Sequence, residues 1–368
     1  MIFVSLPDKC KPEELVFYLA MEEYLAAHLD EVAPSSEDRE LFFLWQVPPT
    51  VIFGRNQVME AEVNVQYCRS RGIRLYRRKS GGGCVYSDSG NIMLSYVSGN
   101  TDVSSTFGFF IRKVTEALKK AGLPAETSGR NDVLVDGRKV SGNAFFLLPG
   151  SGIVHGTMLF DSDFGELEKA ITPSAGKIAS KGVDSVRRHV TNLKPYFENA
   201  DEPWQRELAD IGKFKGYLIS EFCGGGCPGA VNTLTLTGEQ VDAIIEKEQE
   251  YLNPSFLEGR KHSYSVSRWG RIPGVGEIRV DLDMDAGRIS GCHLSGDYFS
   301  LKEGVDSVLS GCLKDAPDNR EDVGKRLESV DISGYVAGLD AEKLLNMLYN
   351  NNNTYDQYGR ESQENLSV

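Results

Sequence analysis

No apolar run in this chain of 368 residues approaches the roughly 18 residues that a membrane-spanning helix needs. The first residues, MIFVSLPDKC, have no basic stretch leading into an apolar one, so no secretory leader is expected. Cysteine is sparse: seven residues, an odd number, without the spacing of a disulfide framework. Reduced thiols and a cytoplasmic location follow as expectations. Cys223 and Cys227 form a C-x₃-C with no second pair nearby, which leaves a zinc site short of ligands. Positive charge is also in deficit, with 40 Lys and Arg against 53 Asp and Glu and a net charge of -13. Nucleic acid is therefore not the expected partner, because its binding needs a broad basic face. Nor does the chain contain GxxxxGK, GxGxxG after a strand, GxSxG or HExxH.

Against this acidic background, basic residues gather in one place. Arg69, Arg71, Arg74, Arg77, Arg78 and Lys79 fall just before or at Ser80-Gly81-Gly82-Gly83. Three glycines in succession free the backbone to take positive φ and to approach a ligand closely. Their N–H groups can form an anion-binding concavity, and arginine suits phosphate. The stretch RRKSGGGCVYSDSGN, residues 77–91, thus predicts a cradle for phosphate or carboxylate.

Around it the chain reads as α+β. A helical pattern opens at Pro12, with Leu15, Tyr18, Leu19 and Leu25 on one face and Glu22, Glu23 and Asp30 off it. Strands are expected over 41–47, 50–53 and 73–78, with 84–86 pairing back on the last of these across the glycines, and over 91–98. A helix within 101–122 is expected to be capped by Ser104 or Ser105. Asp136-Gly137 is a two-residue hairpin signal, which puts Asp132 and Lys139 on paired strands before a further strand over 152–160. One helix is expected over 202–222, then a glycine cluster, CGGGCPGA, and a helix opened by a Thr237/Gln240 capping box. A small antiparallel sheet over 261–299 and three short helices complete the pattern. The expected division is a first domain over 1–235, a smaller second domain over 236–350 and a disordered polar tail over 351–368.

From residue chemistry alone, Lys139 stands among small neighbours in KVSGNA and suits stabilisation of developing negative charge. Asp132 suits a divalent cation beside phosphates. His155, in an apolar strand, reads as a satisfied core histidine. These features describe an anion- or nucleotide-binding enzyme and go no further.

The ordered set of motifs does go further, because it resembles the lipoate–protein ligase A family. RRKSGGGCVYSDSGN is similar to that family's RRxSGGGAVYHDxGN, KVSGNA to KxSGxA, and HGTMLF at 155–160 to HGTLLF. GRN at 54–56, GRND at 129–132, KGVDSVRRHVTNL at 181–193 and GDYF at 296–299 occur in the family's order. The resemblance implies a mixed-sheet catalytic domain with flanking helices and a small α+β accessory domain. It also implies two steps: lipoate and Mg²⁺-ATP give lipoyl-AMP, and the lipoyl group then passes to a lysine of an acceptor lipoyl domain. The implied acceptors are 2-oxoacid dehydrogenase E2 subunits, the glycine cleavage H protein, or both.

The implied adenylate site comprises Arg78, Ser80, Gly81, Gly82, Gly83, Cys84, Val85, Tyr86, Asn91, Asn131, Asp132 and Lys139. The implied lipoate site comprises Gly82, Lys139, Gly142, Asn143, Ala144, His155, Gly156 and Thr157, with Asp132 on the magnesium side and Lys139 catalytic. Two positions depart from the pattern: Cys84 replaces the family's alanine and Ser87 its histidine. An octanoyl transferase acting without ATP shares the fold but needs a cysteine that ALKKAGLPAETSGRND lacks. A biotin–protein ligase would carry a GRGRxGRxW-type signature, which is also missing, and a non-catalytic lipoate or adenylate binder is at odds with intact Arg78, Asp132 and Lys139.

Overall fold

The computed structural model describes residues 1–34, 39–129, 131–171, 189–224, 231–259, 264–350 and 354–356. Arg130, the connection 172–188, the glycine cluster after Gly224 and most of the tail lie outside the described residues. The strands are β1 (Ile2–Ser5), β2 (Glu40–Trp45), β3 (Thr50–Phe53), β4 (Arg74–Arg77), β5 (Val85–Ser87) and β6 (Asn91–Ser98). They continue with β7 (Ala125–Ser128), β8 (Asp132–Val135), β9 (Arg138–Leu148), β10 (Ser151–Leu159) and β11 (Thr233–Thr235). The last four are β12 (Val266–Ile272), β13 (Gly276–Asp285), β14 (Arg288–Gly296) and β15 (Thr354–Asp356).

Eight strands form a mixed sheet in the order β11-β1-β2-β6-β10-β9-β8-β7. Near its centre, β10 is buried at all nine positions, because helices cover both faces. Strand alternation divides its residues between two cores. Ile153 joins Leu15, Leu19 and Phe43 under the helix Leu15–Ala27. Val154 joins Phe110 and Val114 under the helix Val103–Lys120. The β8–β9 hairpin turns at Asp136 and Gly137, with φ of 50° and 70°, the double positive φ that Asp-Gly supplies. A second sheet, β4-β3-β5, packs beside the first, and a third, β14-β13-β12-β15, carries three helices over Val305–Leu313, Arg320–Leu327 and Ala341–Asn350.

The α+β architecture matches the sequence expectation, with five local corrections. β5 does not pair with β4: both pair with β3, which lies between them, so the glycines form a crossover rather than a hairpin. Glu22 and Glu23 are both buried at 3 % exposure, because each finds hydrogen-bonding partners inside the fold. The helix Val103–Lys120 is capped by Asp102, whose carboxylate accepts from Ser105 N. The helix expected over 202–222 is two, Pro203–Glu207 and Ile211–Cys223, the second opened by Asp210 as N-cap. Within the supposedly disordered tail, β15 pairs with β12.

The third sheet meets the first two at the glycine turn. Gly296 N donates to Asn56 O at 2.9 Å, and Arg55 pairs with Glu303 at 2.8 Å. Phe299 sits in the larger core, its ring 5.1 Å from that of Phe145.

Candidate active site

Between the three-stranded sheet and the face of the eight-stranded sheet that carries the helix Leu15–Ala27 lies a chamber of about 280 Å³. Its wall is mostly apolar: Leu19, Trp45, Ile52, Val85, Met93 and Leu159. Arg78, Gly82, Gly83, Cys84, Tyr86 and Asn91 line it from the glycine side; Asn131, Lys139, Gly142, Asn143, Ala144, His155, Gly156 and Thr157 line it from β8, β9 and β10. A small, largely apolar slot with convergent polar groups is the usual form of a small-molecule site. Asp132, Ser80 and Gly81 stand just behind this lining, through contacts with residues that form it.

Lys139 Nζ lies 2.7 Å from Asp132 Oδ1, each side chain about one-third exposed. Glycine at 142 makes room for this pair, since a Cβ there would fall 2.5 Å from Lys139 Nζ. The turn before Asp132 is locked by two amides: Asn131 Nδ2 donates to Asn143 O at 2.9 Å, and Asn143 Nδ2 donates to Asn131 O at 3.0 Å. Gly156 leaves space for this lock, as a Cβ there would lie 2.0 Å from Asn143 Oδ1. Of the KGVDSVRRHVTNL motif only His189–Leu193 is described, and it runs beside the lysine, with Thr191 N donating to Lys139 O at 3.0 Å.

The three basic residues at the glycine turn do separate work. Arg77 donates to five carbonyls, those of Gly54, Arg55, Gln57, Leu257 and Glu258, and ties the strand end to the segment leading into the third sheet. Lys79 is neutralised by Glu23 at 2.9 Å and Glu250 at 2.7 Å. Arg78 alone faces the chamber, and its N–H groups go to Ser80 Oγ at 3.0 Å, Gly81 O at 2.7 Å and Gly83 O at 2.8 Å. Burial lowers its pKa to about 10, partly offset by Cys84 and Glu22, so it stays cationic at neutral pH. The turn itself is close-packed. Gly82 has φ of 88°, its N–H donates to Tyr298 O at 3.3 Å, and a Cβ on Gly81 would lie 2.3 Å from that same carbonyl.

The family profile "Lipoyl protein ligase A/B catalytic domain" matches residues 15–222, and "Bacterial lipoate protein ligase C-terminus" matches residues 261–348. A lipoate–protein ligase of Bacillus subtilis is 34 % identical over 90 % of this chain and 96 % of its own length. The chain belongs to the lipoate–protein ligase family. Its fold also superposes on two solved structures. P. falciparum LipL1 in complex with lipoate matches with a TM-score of 0.67 at 19 % identity, covering 94 % of this chain and 97 % of that one. A lipoate–protein ligase A bound with ATP matches with a TM-score of 0.56 at 24 % identity, covering 70 % of this chain and 98 % of that one.

Of the two positions that depart from the family pattern, Cys84 lines the chamber, whereas Ser87 is fully buried on β5 opposite Thr50 and does not. Sequence reasoning missed most of the apolar wall, which comes from Leu19, Trp45, Ile52, Met93 and Leu159 on five separate elements. It also missed Glu22, which holds His155 Nδ1 at 2.8 Å. One signal was present: Glu22-Glu23 is the only charged pair inside an otherwise apolar helix, LVFYLAMEEYLAA.

Proposed function

We propose that this member of the lipoate–protein ligase family joins lipoate to a specific lysine of acceptor lipoyl domains in two steps. A carboxylate oxygen of lipoate attacks the α-phosphorus of ATP, the bond to the departing pyrophosphate breaks, and lipoyl-AMP remains. The amine of the acceptor lysine then attacks the acyl carbon, AMP leaves with the bonding pair, and the amine loses a proton as the amide forms. Neither step needs a covalent nucleophile from the protein, only positioning and charge stabilisation. The observation that carries the reading is the placement of Lys139 and Arg78 on the lining of one apolar slot that the glycine turn closes. An apolar acid fits the slot with its carboxylate toward these two cations, where its α-phosphate partner would also be bound.

In this reading Lys139 bridges acyl oxygen and phosphate and stabilises the oxyanion of the second step. The glycine turn and Arg78 hold the nucleotide; Gly142, Asn143, Ala144, His155, Gly156 and Thr157 wall the acyl chain. Among the described residues no three His, Cys, Asp or Glu side chains form a metal cluster. The Asp132 carboxylate would hold a magnesium ion brought with the nucleotide, and that ion would supply neutralisation of phosphate charge. The acceptors we assign are E2 lipoyl domains, the glycine cleavage H protein, or both, and the location we assign is the cytoplasm. We draw the boundary between catalytic and accessory domains near residue 260 rather than 235. The helix Gly238–Leu252 supports this, because Val241, Ile244 and Tyr251 share a core with β1 and β2.

The test of the first step is pyrophosphate release from ATP, followed with and without lipoate. Release that depends on lipoate is expected; release that ignores it, or none at all, would rule out the adenylation step.

A further inference from the structure

Behind the glycine turn, buried polar side chains are joined in one line. Glu22 Oε1 accepts from Ser95 Oγ at 2.5 Å, and Ser95 Oγ accepts from Trp45 Nε1 at 2.9 Å. Glu22 Oε2 lies 2.8 Å from His155 Nδ1, and His155 Nε2 lies 2.7 Å from Ser80 Oγ. Ser80 Oγ accepts from Arg78 Nε at 3.0 Å. All six residues are buried, with exposures from 0 % for Ser95 to 8 % for His155.

For a carboxylate at Glu22 and a neutral imidazole at His155, donor and acceptor chemistry sets one direction for the line. Trp and Arg only donate, and a carboxylate only accepts. Ser95 takes a hydrogen from Trp45 and gives its own to Glu22. Ser80 takes one from Arg78 and gives its own to His155 Nε2, which leaves His155 to donate from Nδ1 to Glu22. Every hydrogen thus points toward Glu22, from both ends. Glu22 is the buried carboxylate on the line from Arg78, reached through Ser80 and His155 and without a direct contact.

The far side of Arg78 shows what this arrangement holds in place. Its Nη2 donates to Gly81 O and Gly83 O and draws them toward the guanidinium, while Nη1 donates to Ile52 O at 3.4 Å. In a trans peptide the N–H points opposite the C=O. Fixing those two carbonyls therefore directs two amides away from Arg78, that of Gly82 onto Tyr298 O and that of Cys84 outward from the guanidinium. The geometry points to Glu22, relayed through His155 and Ser80, as the positioning residue that sets the Arg78 guanidinium and with it the amide directions of the nucleotide turn. A direct Arg–carboxylate pair would neutralise the cation locally; the relay keeps it oriented while leaving its charge for a bound phosphate.

This inference rests on the turn being the nucleotide site, as proposed above. Its test uses the full-length protein and two variants, Glu22→Gln, which keeps size and removes the charge, and Ser80→Ala, which cuts the relay. ATP binding is measured by calorimetry, and KM values for ATP and lipoate by pyrophosphate release. Each variant is expected to weaken ATP binding and raise KM for ATP about tenfold, as loss of one charge-linked hydrogen bond does. KM for lipoate should move less than threefold. The double variant should be no worse than the weaker single one, because a relay acts as a unit. Unchanged ATP affinity in both variants overturns the inference. So does a parallel rise in both KM values that follows a lowered melting temperature, the mark of a purely structural role. If Ser80→Ala does not fold, Glu22→Gln decides by the same criteria. A wild-type protein that binds ATP yet releases no pyrophosphate refutes the ligase reading alone, and the calorimetric comparison still decides the relay.

Discussion

Lys139 Nζ rests 2.7 Å from Asp132 Oδ1, across a residue, Gly142, that has no side chain to keep them apart. The ammonium is thereby held at the chamber wall by a carboxylate. Gly142→Ala tests this directly. The new methyl would lie 2.5 Å from Nζ and 2.7 Å from Cε, both at the flexible end of a lysine, so the fold should tolerate it. The lysine, however, must move. Lipoyl-AMP formation is expected to fall about a hundredfold, as a misplacement near 1 Å does. Thermal unfolding should shift by no more than about 3 °C. Initial rates of pyrophosphate release and a melting curve check both halves.

Gly81 is confined by backbone rather than by a side chain. A Cβ there would lie 2.3 Å from Tyr298 O and 3.0 Å from Phe299 Cα, and neither can swing away. Gly81→Ala should therefore cost about 1–3 kcal/mol of stability, the range of overpacked cores. The loss should appear in urea unfolding as a lower midpoint with an unchanged slope.

Among the described residues, Cys84 is the one cysteine on the chamber wall. If the chemistry ran through a thioester, its removal would be fatal. We expect Cys84→Ala, which restores the residue usual in the family, to keep ATP-dependent activity within about threefold, because the two side chains differ little in volume. Iodoacetamide should inactivate the wild type and spare the variant. Complete loss of activity in Cys84→Ala would revive the transferase alternative.

In the third sheet, burial alone would raise the Asp318 carboxyl, but two hydrogen bonds from Arg268, at 2.7 and 2.8 Å, and one from Tyr349 outweigh it and hold its pKa below the usual value. A folded value below the unfolded one stabilises the fold above the unfolded pKa of about 4, and that contribution disappears as pH falls through the folded value. The melting temperature of the wild type should drop steeply with acid in that window. Asp318→Asn should be less stable by about 3 kcal/mol at neutral pH, since it leaves Arg268 buried without its anion, and its acid dependence should be shallower.

Local signals in the sequence reported local structure well. Asp136-Gly137 specified the hairpin that brings Asp132 and Lys139 together, and Thr237 with Gln240 specified a helix start. What the sequence concealed was pairing at long range. Three glycines announce a turn, but not that β3 would lie between its two strands. The buried Glu22 and Glu23 looked like a solvent-facing edge because their partners, Ser95, His155, Lys79 and Tyr251, are far away along the chain. The polar ends of the site were legible as motifs; its apolar wall was not, because Leu19, Trp45 and Met93 have no pattern that sets them apart from ordinary core.

Transfer of a lipoyl group to a lysine at the expense of ATP, with Lys139 essential, can be followed on the acceptor itself. The most direct measurement is the intact mass of an apo lipoyl domain after incubation with the protein, lipoate, ATP and Mg²⁺, beside a Lys139→Ala reaction. A gain of one lipoyl group is expected with wild type, none without ATP, and a rate at least about a hundredfold lower with the variant. A gain that persists without ATP, or that Lys139→Ala produces as fast as wild type, would contradict this expectation.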